Sequence, residues 1–187
     1  MRQSTIVSVL PLLLLGCGLL TFEVDSDANT HIDGAGALGV LLGALDFTGL
    51  DDFDIDVQNA MQDQGVAEGD LNDVHLTTFT LTGSPGDLSF IDDFAVYMSA
   101  PDVDEVLIAS SSDFPEGQTV VSLDLPDVDL TPYVVSDASS FRIEAGGSAP
   151  TDDIDIAAAF TVSITASAQG ACNSLSRDTG RRHSPGG

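Results

Sequence analysis

One stretch of strict alternation limits the fold of this chain more than any other feature. From Asp153 to Ile164, the residues Ile154, Ile156, Ala158, Phe160, Val162 and Ile164 take every second position, against Asp153, Asp155, Ala157, Ala159, Thr161 and Ser163. A helix, with its period of 3.6, would scatter these apolar groups around its circumference, whereas a strand collects them on one face. Such a strand is half-buried and needs a second apolar layer to cover it. The same period recurs at Phe53, Ile55 and Val57, at Phe94, Val96 and Met98, and at Phe141, Ile143 and Ala145. Further strands fit residues 74–82, 105–110 and 119–125, and the intervening SPGD, APD, FPEG and GGSAP are turn sequences. Seven to nine strands at this spacing, with no repeated helix between them, predict an all-β chain, an antiparallel β-sandwich of immunoglobulin-like type. Short helices are expected at 58–64, closed by Gly65, and at 130–134, with Pro132 in the first turn.

Charge narrows the partners. The 187 residues include 30 Asp and Glu but only 5 Lys and Arg, a formal net charge of -25. A surface of that sign is repelled by phosphate backbones, so nucleic acid is excluded as a partner.

The first seventeen residues form an export signal: Arg2, then an apolar run from Ile6 to Leu15, then Gly16 and Cys17. The whole run to Phe22 has the minimum length for a membrane span, and Pro11 interrupts it. Leu14-Leu15-Gly16-Cys17 resembles the lipobox of bacterial lipoproteins, which implies lipidation of Cys17 and cleavage before it. Gly18 in place of Asp implies, by the same resemblance, delivery to the outer membrane. A lipidated Cys17 cannot pair, leaving Cys172 single.

The expected organisation is a signal peptide with lipobox (1–17), an acidic and glycine-rich linker (18–46), the sandwich domain (47–168) and a disordered, Arg-containing tail (169–187). NAMQDQGV, VHLTTFTL followed by GDLSFIDDFAVYMSAP, LDLPDVDLTPYV and the closing GAC resemble a group of acidic lipoproteins from Gram-negative, myxobacteria-like organisms, of no assigned activity. The strand order also resembles the sandwich of late-embryogenesis-abundant proteins. The first resemblance implies a fold and an address and the second a fold alone, and neither implies a chemistry.

Catalytic motifs are missing from the sequence. There is no GxSxG elbow, Lys is absent, and no cofactor is expected. Gly34-Ala35-Gly36-Ala37-Leu38-Gly39 matches GxGxxG but lacks the βαβ context of a dinucleotide fold and is expected to be a flexible connector. Asp92-Asp93 and Asp152-Asp153 are paired acids of the kind a glycosidase uses, yet neighbours on a strand diverge. Calcium is the one ligand the composition invites. Asp25, Asp27, Asn29 and Asp33 follow EF-hand oxygen spacing, although Thr30 and Gly36 replace the turn Gly and the closing Glu. Asp52, Asp54 and Asp56 share a face at intervals of about 7 Å, and Asp102, Asp104, Asp127 and Asp129 lie in turns whose loops can converge. Asp73 and His75, two apart on a strand, offer two ligands to a transition metal, but two ligands make a weak site and a surface pair is the expectation.

These features point to a lipid-anchored binding or structural module of the cell envelope rather than an enzyme. Its partners would be the membrane and an unknown envelope protein or glycan. The alternatives are a carrier of an apolar ligand between the sheets, lined by Phe79, Phe94, Phe141 and Phe160, and a calcium-dependent adhesion module.

Overall fold

The computed structural model describes residues 19–35, 42–45, 47, 50, 57–136 and 138–167. Cys17, Asp52, Asp54, Asp56, Cys172 and most of the glycine-rich motif lie outside them. Eight strands occur among the described residues: β1 (Leu19–Ile32), β2 (Leu42–Ala44), β3 (Leu71–Ser84), β4 (Ile91–Ala100), β5 (Val103–Ser111), β6 (Val120–Ser122), β7 (Ser140–Ser148) and β8 (Ile154–Ser167). They form two four-stranded sheets, ordered β1-β8-β3-β6 and β2-β7-β4-β5, with every pairing antiparallel.

The pairings β1·β8, β2·β7, β3·β6 and β4·β5 are nested about one centre. A single long double strand, rolled until β3 meets β8 and β4 meets β7, produces this order. That is jelly-roll topology. The all-β antiparallel sandwich is therefore present, while the strand order differs from the immunoglobulin one in that the first strand pairs with the last.

Alternation builds the core. In β8 Ile154, Ile156, Ala158, Phe160, Val162 and Ile164 are all buried, and β3 supplies Val74, Phe79 and Leu81 beside them. Phe94, Val96 and Met98 of β4 face them from the second sheet, while Phe141 and Ile143 of β7 are only partly buried. Phe79 and Phe160, register partners, stack at 5.6 Å between centroids, and Phe141 meets Phe160 across the sheets at 6.4 Å. Phe94 meets Phe47 edge-on at 5.2 Å.

Helix α1 (Val57–Gln64) ends where the Gly65 N–H reaches Gln62 and the Val66 N–H reaches Met61, with Gly65 at φ +67. This closure needs a left-handed residue, which Gly supplies without strain. Val57, expected to end a strand, instead opens this helix and is buried. Helix α2 (Thr131–Val134) carries Pro132 in its first turn, and the Tyr133 hydroxyl donates to the Asp104 carbonyl at 2.6 Å.

The N-terminal segment differs most from expectation. Residues 19–32, expected to be linker, form a strand in full fourteen-residue register with β8, and residues 42–44 form β2. The reason is a buried alternation half made of small or polar residues. Leu20, Phe22, Val24 and Ser26 are half-buried, and Ala28, Thr30 and Ile32 are buried, while Glu23, Asp25, Asp27, Asn29 and His31 face water.

Candidate functional site

Extended backbone separates the calcium candidates. Asp25, Asp27 and Asn29 project from one exposed face of β1, where alternate residues lie about 7 Å apart, so they do not wrap one ion as an EF-hand loop does. Asp25 instead accepts a hydrogen bond from the Thr161 hydroxyl at 2.8 Å, and Thr161 accepts one from Thr78 at 3.0 Å, a polar row across three strands. Thr30, at the position of the EF-hand glycine, points inward at 7% exposure.

Asp33, just past the end of β1, belongs to a different group. The pairing Ile32↔Ile154 brings residues 31–35 against 150–155. His31 Nδ1 lies 2.6 Å from Asp155 Oδ1, and His31 Nε2 lies 3.5 Å from Asp33 Oδ1. Asp153 Oδ1 accepts the Gly34 N–H at 2.9 Å, and the Ala35 N–H reaches the Pro150 carbonyl at 2.8 Å. A Cβ on Gly34 would lie 2.5–2.8 Å from backbone atoms of Thr151 and Asp152, which explains the first glycine of the GxGxxG spacing as a close approach.

Ligand atoms of His31, Asp33 and Asp153 lie within 4.8 Å of one another. Asp155 holds the other ring nitrogen, as outer carboxylates hold metal-bound histidines. An imidazole with two carboxylates suits a divalent transition ion better than calcium, which takes oxygen ligands throughout. All three ligand residues are exposed. The His31 pKa is raised above its ordinary 6.5, first by the Asp155 hydrogen bond, which outweighs desolvation, and then by the charges of Asp155, Asp33 and Asp153. Protons and a metal would therefore compete for this ring.

A second histidine gathers acids near the other end of the same sheet. His75 Nε2 is 2.7 Å from Asp73 Oδ1, as the two-residue spacing on β3 suggested, and His75 Nδ1 is 3.8 Å from Asp127 Oδ1. Asp129 joins this loop. Its burial works to raise its pKa, but the N–H of Thr131 at 2.9 Å, the Val74 backbone and the charge of His75 hold it below the ordinary range. Asp102 lies in the β4–β5 turn in left-handed backbone at φ 63, and Asp104 is the second residue of β5, its carbonyl held by Tyr133 of α2.

On the outer face of the second sheet lies Arg142, the one Arg or Lys among the described residues. Glu105 takes its Nε at 2.9 Å and one terminal nitrogen at 2.5 Å, Glu144 takes the other, and the guanidinium lies 4.2 Å from the Tyr97 ring centroid. The Glu105 hydrogen bond, then that of Glu144, raises the Arg142 pKa further, and Arg142 lowers that of Glu105. This arrangement ties β4, β5 and β7 together and leaves the guanidinium no spare charge for an anionic ligand. The paired acids Asp92 and Asp93 are both exposed at a bulge in β4, and Asp93 packs beside Gly146.

No protein-family model matches the chain, and no curated protein does. Among solved structures, a decameric BFDV capsid protein is similar over 80% of this chain and 99% of its own, at 11% identity and a TM-score of 0.36. That likeness is too distant to bear on function.

The His31 group was legible only in part. Asp33 falls within the local oxygen spacing of residues 25–33, whereas His31, Asp153 and Asp155 become neighbours through the β1·β8 register across more than 120 residues. Recognising β1 as a strand is the signal that would have found them.

Proposed function

We propose that the chain is an exported, lipid-anchored module of the cell envelope, an outer-membrane lipoprotein whose work is binding or structural. One observation carries this reading. Phe22 and Val24 pack against the sandwich core and β1 begins at Leu19, so the apolar stretch available to a leader runs only from Ile6 to Gly18. Thirteen residues make a helix of about 20 Å, short of the roughly 30 Å hydrocarbon layer, which favours a cleaved leader over a permanent span. Cys17 falls at the end of that stretch, where lipidation would supply the anchor. The acidic surface suits cationic or cation-bridged envelope partners and disfavours nucleic acid.

Packing weighs against the carrier alternative. Phe79 and Phe141 both lie against Phe160, and Phe94 lies against Phe47, in the space a ligand would need. The test is labelling with a fatty-acid precursor, followed by mass measurement of the mature N-terminus. Wild type should carry acyl groups on Cys17, and Cys17→Ser should lose the label and either remain unprocessed or leave the membrane fraction. A processed Cys17→Ser protein that stays in the membrane would contradict the reading.

The His31, Asp33 and Asp153 group favours a second reading, a metal-dependent surface module. Zinc titration followed by calorimetry tests it: saturable binding lost in His31→Ala supports the reading, and equal heats from both proteins contradict it.

A further inference from the structure

We infer that the sandwich stands end-on upon the bilayer that holds its anchor, with the pole containing Leu19 in the headgroup layer and the His31 pole directed away. The inference rests on the proposed lipidation of Cys17. Only Gly18 separates that residue from Leu19, the first residue of β1. Consecutive Cα atoms are 3.8 Å apart, so the Cα atoms of Cys17 and Leu19 lie at most about 7 Å apart. The headgroup layer on each side of a bilayer is itself about 5–7 Å thick. No linker intervenes to let the body drift from the surface.

The register defines the pole held there. Leu19 pairs with Ser167, the last residue of β8, and Ala166 pairs with Leu71, the first of β3. Leu19 is 70% exposed, the most exposed large apolar side chain among the described residues, and it belongs where it can enter the lipid interface. The covalent tether holds this end in place against the charges of Glu68 and Asp70 beside it.

Orientation follows from charge and length. Lying flat on the outer face of the first sheet would press Glu23, Asp25 and Asp27 against anionic headgroups, and like charges repel within a Debye length. Standing upright removes that contact. Thirteen steps of about 3.3 Å then carry β1 roughly 43 Å outward, to His31, Asp33 and Asp153.

The chain has no Trp, so single reporters are clean. Full-length lipidated protein carrying Leu19→Trp, Ser167→Trp or Asn29→Trp is reconstituted into phosphatidylcholine and phosphatidylglycerol vesicles containing lipid brominated near the headgroup. Quenching at positions 19 and 167 should exceed that at position 29 at least threefold. Inserting ten Gly and Ser residues after Gly18 should bring the position 19 signal down to the level of position 29. Equal quenching at 19, 167 and 29 in protein whose Cys17 is acylated by mass overturns the end-on placement and leaves the anchor standing. Protein lacking the acyl groups overturns both.

Discussion

β1 and β8 are neighbours in unbroken register for fourteen residues, yet their sequences look unlike one another. β8 puts Ile, Phe, Val or Ala at every inward position. β1 lies at the sheet edge and carries Ser26, Ala28 and Thr30 among its inward residues, while its outward ones include Glu23, Asp25, Asp27 and Asn29. The first three oxygen positions of an EF-hand also fall two residues apart. Acidic alternation is thus ambiguous between a calcium loop and the wet face of a strand, and what separates them is the residue between. Thr30 is buried where a loop would need an exposed Gly.

The largest test of this contrast is removal. A chain beginning at residue 47 lacks β1 and β2 and uncovers one whole side of β8, the strand with the most buried apolar residues. It should fail to unfold cooperatively, whereas residues 19–167 should show one cooperative transition by circular dichroism. Next in size is Phe160→Ala. This residue is 3% exposed and stacked on Phe79, so losing it should cost about 3–5 kcal/mol in denaturant titration. A loss under about 1 kcal/mol would place Phe160 at a surface.

The phase of β1 is sharpened by two adjacent substitutions. Ala28→Asp puts an unpaired carboxylate on the buried side and should cost at least about 2 kcal/mol, while Asp27→Asn, on the wet side, should stay within about 0.5 kcal/mol. Equal effects would mean that β1 has no fixed faces. The smallest effect separates calcium from bulk screening. With 29 acidic residues between Glu23 and Asp155 and Arg142 the one Lys or Arg in that range, sodium chloride near 1 M should raise the melting temperature by shortening the Debye length to about 3 Å. Millimolar calcium should add nothing in that salt, and Asp25→Asn should not change the response. A saturable calcium shift that survives the salt would restore an oxygen site.

Much of the fold can be read from the residues because its central strands are strongly patterned. The alternations at 94–98 and 153–164, the Gly65 helix stop and the Pro132 turn all mark elements that form there. Jelly-roll order is harder to read, since β1·β8 and β2·β7 join residues about 100 or more apart and periodicity carries no pairing information. The His31 group is hidden for the same reason: its geometry belongs to a long-range register, and only Asp33 stood within a local motif. Asp73 and His75 were legible because a strand brings residues two apart onto one face.

Amide hydrogen exchange in residues 19–167 tests most directly whether β1 is a structural strand beginning two residues after Cys17. An edge strand hydrogen-bonds on one side, so alternate amides of 19–32 should be protected to a level near that of the β8 amides they face, and the intervening ones should exchange quickly. Uniformly fast exchange across 19–32, with β8 still protected, would make the segment a tether and contradict both the strand and the end-on placement drawn from it.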